Sequence, residues 1–316
     1  MKKLFSTIIC CLICSTAFMQ VKPEWQDETI PFVGKEYPRT AFMTYSDVNK
    51  ARSNDFNTST DYKSLNGKWK FNWVSSYKKR PVNFYKTNFD DSTWEELDVP
   101  ANWEVNGYGN ALYTNHPYEF CPRNPQPPLL PEENPVGSYR KYIEIPEQWN
   151  GKEIFLHIGA VKSGCYLYVN GTKVGYSEDS KDAVEYNITR YLKPGRNLIA
   201  LEVYRWSTGS YLECQDFWRI SGIERDVYLF AQSPVHLRDF SIRQDLDSTY
   251  KNGLFGLDLF LVNANPRQTA QATVSYQLES TSGTRVAEGT QTIKIDSIAT
   301  VHFDAKIAQV APWTAE

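Results

Sequence analysis

The chain has 316 residues, which is enough for two domains of ordinary size. Its 34 basic and 37 acidic residues leave a formal charge of −3, so we expect neither nucleic acid nor an anionic membrane as partner. The 9 Trp, 20 Tyr and 16 Phe residues suit β architecture, and they also suit proteins that stack aromatic rings on sugars.

The N-terminus is typical of a signal peptide. A positively charged start precedes a mostly apolar run at 4–19, and small residues at 15–17 offer a cleavage site. The run is short for a membrane span. We therefore predict a leader at residues 1–20 and export to the periplasm or the medium. Lipid attachment at Cys14 is the weaker alternative, because bulky apolar residues precede this cysteine.

The next two hundred residues have the pattern of a β domain. Residues 21–39, rich in Pro, Glu and Gly, predict an irregular arm, and six prolines at 122–135 predict an extended surface loop. Strands are predicted at 68–73, 140–145, 154–158, 166–169, 172–176 and 198–206, with Asn170-Gly171 as a type I′ turn. Asn170 also begins a glycosylation acceptor, but the turn alone explains it. We predict an all-β domain of sandwich type at residues 21–232.

A second domain is predicted after the boundary at Ser233-Pro234. Five strand candidates follow at 235–242, 254–262, 272–278, 289–295 and 299–303. This spacing is typical of an immunoglobulin-like sandwich, which needs about seven strands. We therefore predict an incomplete immunoglobulin-like domain at residues 234–316.

Cysteines and histidines give no sign of a metal site. Cys121, Cys165 and Cys214 follow the leader at wide, irregular spacing, which predicts neither a disulfide framework nor a zinc site. We expect three thiols, with at most one pair bridged. The four histidines also lack metal-ligand spacing.

Residues 204–230 form the most unusual stretch of the chain. Acids, arginines and aromatics lie there between two apolar strands, in a segment too long for a simple hairpin and too aromatic for disorder. Long loops on rigid β scaffolds often carry function. We therefore expect a site in this stretch.

Several motifs follow one another in fixed order, at 65–67, 99–103, 107–109, 113–115, 134–140, 169–177 and 205–227. The most specific is the last, with Ser-Tyr-Leu-Glu at 210–213 and Gln-Asp-Phe-Trp-Arg at 215–219. Together they make the chain resemble the N-terminal part of the β-galactosidases of glycoside hydrolase family 2. The resemblance implies a jelly-roll sugar-binding domain, an immunoglobulin-like domain and a catalytic (β/α)8 barrel. We do not expect the barrel within this chain, because it needs at least about 200 further residues.

The resemblance also implies roles for two residues. It implies that Asp216 contacts galactosyl hydroxyls and helps to hold a sodium ion, for which oxygen ligands are chemically apt. It implies that Asn115 hydrogen-bonds the galactose ring. The structural alternatives are an ion pair of Asp216 with Arg219 or Arg225, and an Asx turn made by Asn115.

No catalytic residue is assigned. Retaining glycosidases need two carboxyl groups about 5 Å apart, and relatives carry both on the barrel, so we do not interpret Glu213 and Asp216 as such a pair. Thr208 stands where several relatives have an Asp associated with magnesium, which leaves a magnesium site in doubt.

The sequence thus predicts the non-catalytic N-terminal part of an exported β-galactosidase that hydrolyses terminal β-D-galactosides with retention. Its partners would be the sugar and a barrel domain of its own or of a complementing chain. A homo-oligomer stays open for the full-length enzyme, and an integral membrane location is not expected. The alternatives are a stand-alone lectin-like protein, or a fragment of a β-glucuronidase or β-mannosidase of the same family.

Overall fold

The computed structural model describes residues 22–213, 215–313 and 315. The predicted leader and Cys214 lie outside these residues. The described part contains one α-helix, α1 (Val48–Ser53), and 3-10 helices at Glu24–Gln26, Phe56–Thr58, Tyr77–Lys79, Glu104–Asn106, Glu147–Trp149, Thr189–Tyr191 and Thr208–Tyr211. All other regular structure described is β-strand.

The strands of the first domain are β1 (Phe32–Val33), β2 (Tyr62–Ser64), β3 (Gly67–Val74), β4 (Glu95–Val99), β5 (Ala101–Asn102), β6 (Leu112–Thr114), β7 (Val136–Glu144), β8 (Glu153–Ile158), β9 (Val161–Lys162), β10 (Gly164–Val169), β11 (Thr172–Ser177), β12 (Val184–Asn187), β13 (Arg196–Tyr204), β14 (Phe217–Arg219), β15 (Gly222–Ile223) and β16 (Val227–Gln232). The strands of the second are β17 (Val235–Leu246), β18 (Gly253–Asn263), β19 (Ala270–Glu279), β20 (Arg285–Ile295) and β21 (Ile298–Ile307).

Two main antiparallel sheets build most of the first domain, beside two small sheets, β14-β6 and β5-β15-β9. The larger has the order β1-β11-β10-β13-β7-β3-β4, and the smaller has the order β12-β8-β16-β2. Their inner faces share one apolar core, in which Ile199 and Leu201 of the larger sheet meet Leu156 and Leu229 of the smaller. Crossovers between two packed sheets define a jelly roll. The predicted all-β sandwich is confirmed.

The N-terminal arm covers the outer face of the larger sheet. Trp25 is 2% exposed, and its ring stacks on that of Tyr204 with centroids 4.7 Å apart. Further along, β1 pairs with β11 at the edge of the sheet. The arm has little regular structure, as predicted, but it is a packed layer. A single buried tryptophan gives no periodic signal by which the sequence could show this.

A short helix and a hairpin show how local chemistry sets the chain direction. The carboxylate of Asp47 accepts hydrogen bonds from the Asn49 and Lys50 backbone amides and so caps α1, which has only six residues and was not predicted. Between β10 and β11, Asn170 and Gly171 have φ of 50° and 88°. These angles confirm the predicted type I′ turn.

The second domain is a small sandwich of two sheets. Strands β17-β18-β21 form one sheet and β19-β20 form the other. Leu257, Leu259 and Leu261 of β18 pack with Val274 and Ile293 of the facing sheet. The five predicted strands are all present, and each is longer than its apolar pattern indicated. The domain is immunoglobulin-like, as predicted.

Glu185 joins the arm, the jelly roll and the second domain. Its carboxylate accepts hydrogen bonds from Nε and Nη2 of Arg39, each at 2.9 Å, and from Nη1 of Arg238 at 3.2 Å. It also contacts Nδ1 of His157 at 3.0 Å. Arg238 also donates to the Tyr37 carbonyl oxygen. Burial alone would raise the pKa of Glu185, but the His157 hydrogen bond and the Arg39 charge lower it to about 2.

Two smaller predictions concern thiols and membranes. Cys121 and Cys165 carry free thiols, and Cys165 is buried. Over the described ranges, no helix combines the length and the hydropathy that crossing a membrane requires.

Candidate functional site

The stretch 204–230 is more ordered than a loop. After β13 it enters the 3-10 helix Thr208–Tyr211, where the hydroxyls of Ser207 and Ser210 form a capping box. It then adds the short strands β14 and β15 before it enters the smaller sheet as β16. The stretch therefore forms small β pairings with the short strands β5, β6 and β9, apart from the two main sheets.

One of these pairings brings the two candidate residues together. Strand β14 pairs antiparallel with β6, with Phe217 opposite Thr114. Asp216 immediately precedes β14 and Asn115 immediately follows β6, so this register places them opposite each other at the same end. We call β6 and β14 with these two flanking residues the ribbon. Both candidates are exposed.

Asp216 is held by a tyrosine of the ribbon. The Tyr113 hydroxyl donates to Oδ1 of Asp216 at 2.9 Å. That hydrogen bond and the carboxylate charge raise the pKa of Tyr113. Tyr113 lies in the motif at 113–115, but its place in the sequence alone indicates no role.

The predicted structural alternative for Asp216 is wrong. Arg219 instead faces Glu119, with 3.8 Å between Nε and Oε2, and Arg225 donates to the Lys181 carbonyl oxygen. No ion pair of Asp216 with either arginine occurs among the described residues. Its carboxylate is thus left at the surface with Tyr113 as its hydrogen-bond donor.

The underside of the ribbon is fixed by buried polar groups. Arg219 is 1% exposed and donates to the carbonyl oxygens of Glu213 and Thr114. Glu213 in turn accepts from the Ser180 backbone amide at 2.6 Å and from its hydroxyl. These contacts occupy the Glu213 carboxylate, which agrees with rejecting Glu213 and Asp216 as a catalytic pair.

A second set of contacts ties the stretch to the body of the domain. The side chain of Asn134 bridges the Trp206 backbone, donating to its carbonyl oxygen at 2.8 Å and accepting from its amide at 3.1 Å. Arg205 pairs with the buried Glu104 at 3.1 Å. Glu104 also accepts from the Ser221 amide at 2.7 Å. These contacts anchor the segments that flank the ribbon to the body of the domain.

The residues around Thr208 do not fit a magnesium site. The Thr208 hydroxyl donates to Glu178, which also accepts from the Tyr176 hydroxyl at 2.6 Å and from the Gly209 amide. Burial raises the pKa of Glu178, which disfavours its ionised form. The Glu178 carboxylate, which was not predicted to lie at this site, thus already accepts hydrogen bonds from three protein groups. Its position directly after β11 gave no signal of this contact.

Asp216 fits a cation as one ligand of a larger set. Hard cations take several oxygen ligands, and the described residues contain no cluster of three or more His, Cys, Asp or Glu side chains suited to a metal ion. A complete coordination shell at Asp216 would need further oxygen ligands beside this carboxylate.

The fold and the ribbon define a class of protein: a β-sandwich module that displays a carboxylate, an amide and aromatic rings on one exposed edge. Comparison with known proteins gives the family. Residues 62–233 match the model for "Glycosyl hydrolases family 2, sugar binding domain". The chain therefore belongs to glycoside hydrolase family 2.

Curated relatives cover most of this chain and a minor part of themselves. The chain is 36% identical over 299 residues to a β-galactosidase of Priestia megaterium, an alignment that covers 93% of this chain and 29% of the relative. It is 38% identical over 255 residues to a β-galactosidase of Halalkalibacterium halodurans, covering 80% and 25%. The chain thus spans less than a third of the length of these relatives.

Solved structures support the fold. A β-glucuronidase of Bacteroides uniformis superposes with a TM-score of 0.64 at 21% identity, over 80% of this chain and 28% of the other. A β-glycosidase of Bacteroides vulgatus gives a TM-score of 0.58 at 20% identity, over 80% and 30%. At such identities the likeness concerns the fold alone.

Proposed function

We propose that this chain is the N-terminal, non-catalytic region of a retaining β-galactosidase that acts on terminal β-D-galactosides. The observation that carries the proposal is the ribbon, whose register brings Asn115 and Asp216 to one exposed end. Retention requires two carboxyl groups about 5 Å apart. Glu213, the acid three positions before Asp216, is already engaged with Ser180. The catalytic carboxylates would come from another part of the enzyme.

In this role the ribbon binds and orients the sugar. The Asp216 carboxylate accepts hydrogen bonds from galactosyl hydroxyls, and such charge-assisted bonds are stronger than neutral ones. The Asn115 amide can donate and accept at the same time, which suits a ring hydroxyl. Contacts to the sugar raise the reaction rate to the extent that they strengthen in the transition state.

A sodium ion at Asp216 remains part of the proposal. Asp216 would supply one carboxylate oxygen, and the bound ion would supply a fixed positive charge near the sugar hydroxyls. We propose no magnesium ion at Thr208, because Glu178 is saturated there. Export through residues 1–20 likewise stays a prediction, as does a barrel domain of the same or a complementing chain as partner.

A hybrid enzyme tests the proposal. Residues 22–313 would replace the matching region of the Priestia megaterium β-galactosidase, and kcat/KM would be measured on a chromogenic β-galactoside. We expect Asp216→Asn to lower kcat/KM by about 100-fold, the usual effect of removing one charge-stabilising group from an active site.

The matched control is Asp245→Asn, an exposed carboxylate on β17 of the second domain. It should leave kcat/KM unchanged. Equal activity of both variants would contradict the proposed role of Asp216. In a stand-alone lectin-like protein, lactose binding by the isolated chain would not be accompanied by any effect of Asp216→Asn on the kcat/KM of the hybrid.

A further inference from the structure

The outer face of the ribbon carries two aromatic rings beside the proposed sugar ligands. Trp218 lies directly opposite Tyr113 in the β14–β6 register, and their ring centroids are 5.7 Å apart at an interplanar angle of 58°. Both side chains are 55% exposed. The Tyr113 hydroxyl donates to the Asp216 carboxylate beside this face. Asn115 follows Tyr113 by two positions, which is the spacing of side chains on one face of an extended strand.

The opposite face of the ribbon is occupied by the protein. The Phe217 ring contacts the ammonium group of Lys181 at 5.0 Å and the guanidinium of Arg219 at 5.5 Å. Arg219 in turn donates to the Thr114 carbonyl oxygen and so links the two strands. The outer face is therefore held in place from behind before any ligand arrives, which lowers the entropy cost of binding.

This arrangement matches the two chemical sides of a pyranose. A sugar ring has a face of C–H groups, which packs on aromatic surface, and a rim of hydroxyls, which hydrogen-bonds with carboxylates and amides. Successive side chains on one face of a strand lie about 7 Å apart. Asp216 lies next to the aromatic pair, 2.9 Å from the Tyr113 hydroxyl, so one sugar ring can reach both the rings and the carboxylate.

We propose that the outer face of the ribbon is a pyranoside platform, in which Trp218 with Tyr113 packs against the sugar ring while Asp216 and Asn115 bind its hydroxyls. This adds Trp218 and Tyr113 as binding residues. The choice of a β-galactoside as the sugar rests on the proposed function. It does not need the catalytic partner, because all four side chains belong to this chain.

A covering protein surface would be a poorer occupant. Only Tyr113 donates to the Asp216 carboxylate among the described residues, so its second oxygen needs donors if it leaves water. Burying a charged group without hydrogen bonds is costly. Sugar hydroxyls supply such donors, whereas an apolar protein surface does not.

The test uses the full chain and methyl β-D-galactopyranoside as probe. Saturation-transfer difference NMR, with irradiation of the protein's aromatic protons, would give the Kd from a titration. We expect Trp218→Leu to weaken binding by about three- to tenfold, the range for loss of one aromatic contact. Trp218→Phe, which keeps a ring, should retain most of the affinity.

Trp313, which is 89% exposed, provides the matched control. Trp313→Leu should bind the galactoside as the unchanged chain does, and a ¹H–¹⁵N spectrum of each variant would verify that it is folded. No transfer to the sugar from the unchanged chain would overturn the platform. Equal affinity of Trp218→Leu and Trp313→Leu would overturn it too. In either case the hybrid-enzyme result for Asp216 would still stand, so failure of the platform is distinguishable from failure of the proposed function.

Discussion

At the scale of single residues, the contact between Tyr113 and Asp216 makes a prediction that does not depend on enzyme activity. Because the Asp216 carboxylate accepts a hydrogen bond from the Tyr113 hydroxyl and raises its pKa, Asp216→Asn should let Tyr113 ionise at lower pH. An NMR titration of ¹³C-tyrosine-labelled chain would measure the change.

The same titration has a simple control. Asp245→Asn removes an exposed carboxylate from another domain and should leave the ionisation of Tyr113 unaltered. If Asp216→Asn also leaves it unaltered, Tyr113 does not hold Asp216 in solution. The ribbon geometry would then need revision.

The sequence was enough to identify the candidate site residues, but not the residues that contact them. The motif around 210–219 and its family resemblance single out Asp216 and Asn115. The partners of these groups were not predictable, because Tyr113 and Asp216 are 103 positions apart and meet only through strand pairing. The same holds for Glu178 and Thr208, which meet across 30 positions.

At the scale of elements, a glycine in β7 and a glycine in the β10–β11 turn are required for different physical reasons. A Cβ at Gly137 would lie 2.5 Å from the Trp103 ring and 2.9 Å from Phe71, both fully buried. A Cβ at Gly171 would meet nothing closer than 3.9 Å, but φ there is +88°. One site is limited by packing and the other by backbone conformation.

These two limits predict different losses of stability. Gly171→Ala should lower the free energy of unfolding by about 1 kcal/mol, the cost of a left-handed conformation for alanine. Gly137→Ala should cost more, about 3 kcal/mol, because buried rings must move. Urea unfolding of both variants measures the order. A smaller loss for Gly137→Ala would contradict the packing argument.

Elements were predictable in proportion to their length. The long strands β13 and β17 to β21 were visible as apolar patterns. The three-residue strands β6 and β14 were not, because three residues hold too little alternation to distinguish a strand from a loop. The site therefore lies on the elements that periodicity detects least well, and here only the motif pointed to it.

At the scale of the whole molecule, Glu185, which contacts both domains, makes the stability of the fold depend on pH. Its pKa is lowered from 4.5 to about 2 in the folded chain. A lowered carboxyl pKa stabilises the fold above the unfolded pKa, and this stabilisation is lost as pH falls from about 4.5 towards 2. Glu185→Gln should therefore reduce stability at neutral pH, on the order of 3 kcal/mol.

Urea unfolding between neutral pH and about pH 3 would measure this effect. The difference in the free energy of unfolding between the unchanged chain and Glu185→Gln should become smaller as the pH falls. Glu147→Gln, at an exposed glutamate, is the control and should follow the unchanged chain. A difference that stays constant across this range would show that Glu185 is not the titrating group.

The central claim is that this chain contributes to sugar binding and leaves the chemistry to another part of a β-galactosidase. The most direct measurement is the rate at which the purified chain alone hydrolyses a chromogenic β-galactoside. Our account predicts hydrolysis at the rate of buffer, because it assigns the pair of carboxyl groups that retention requires to another part of the enzyme. Turnover above that rate, abolished by a substitution within this chain, would contradict it.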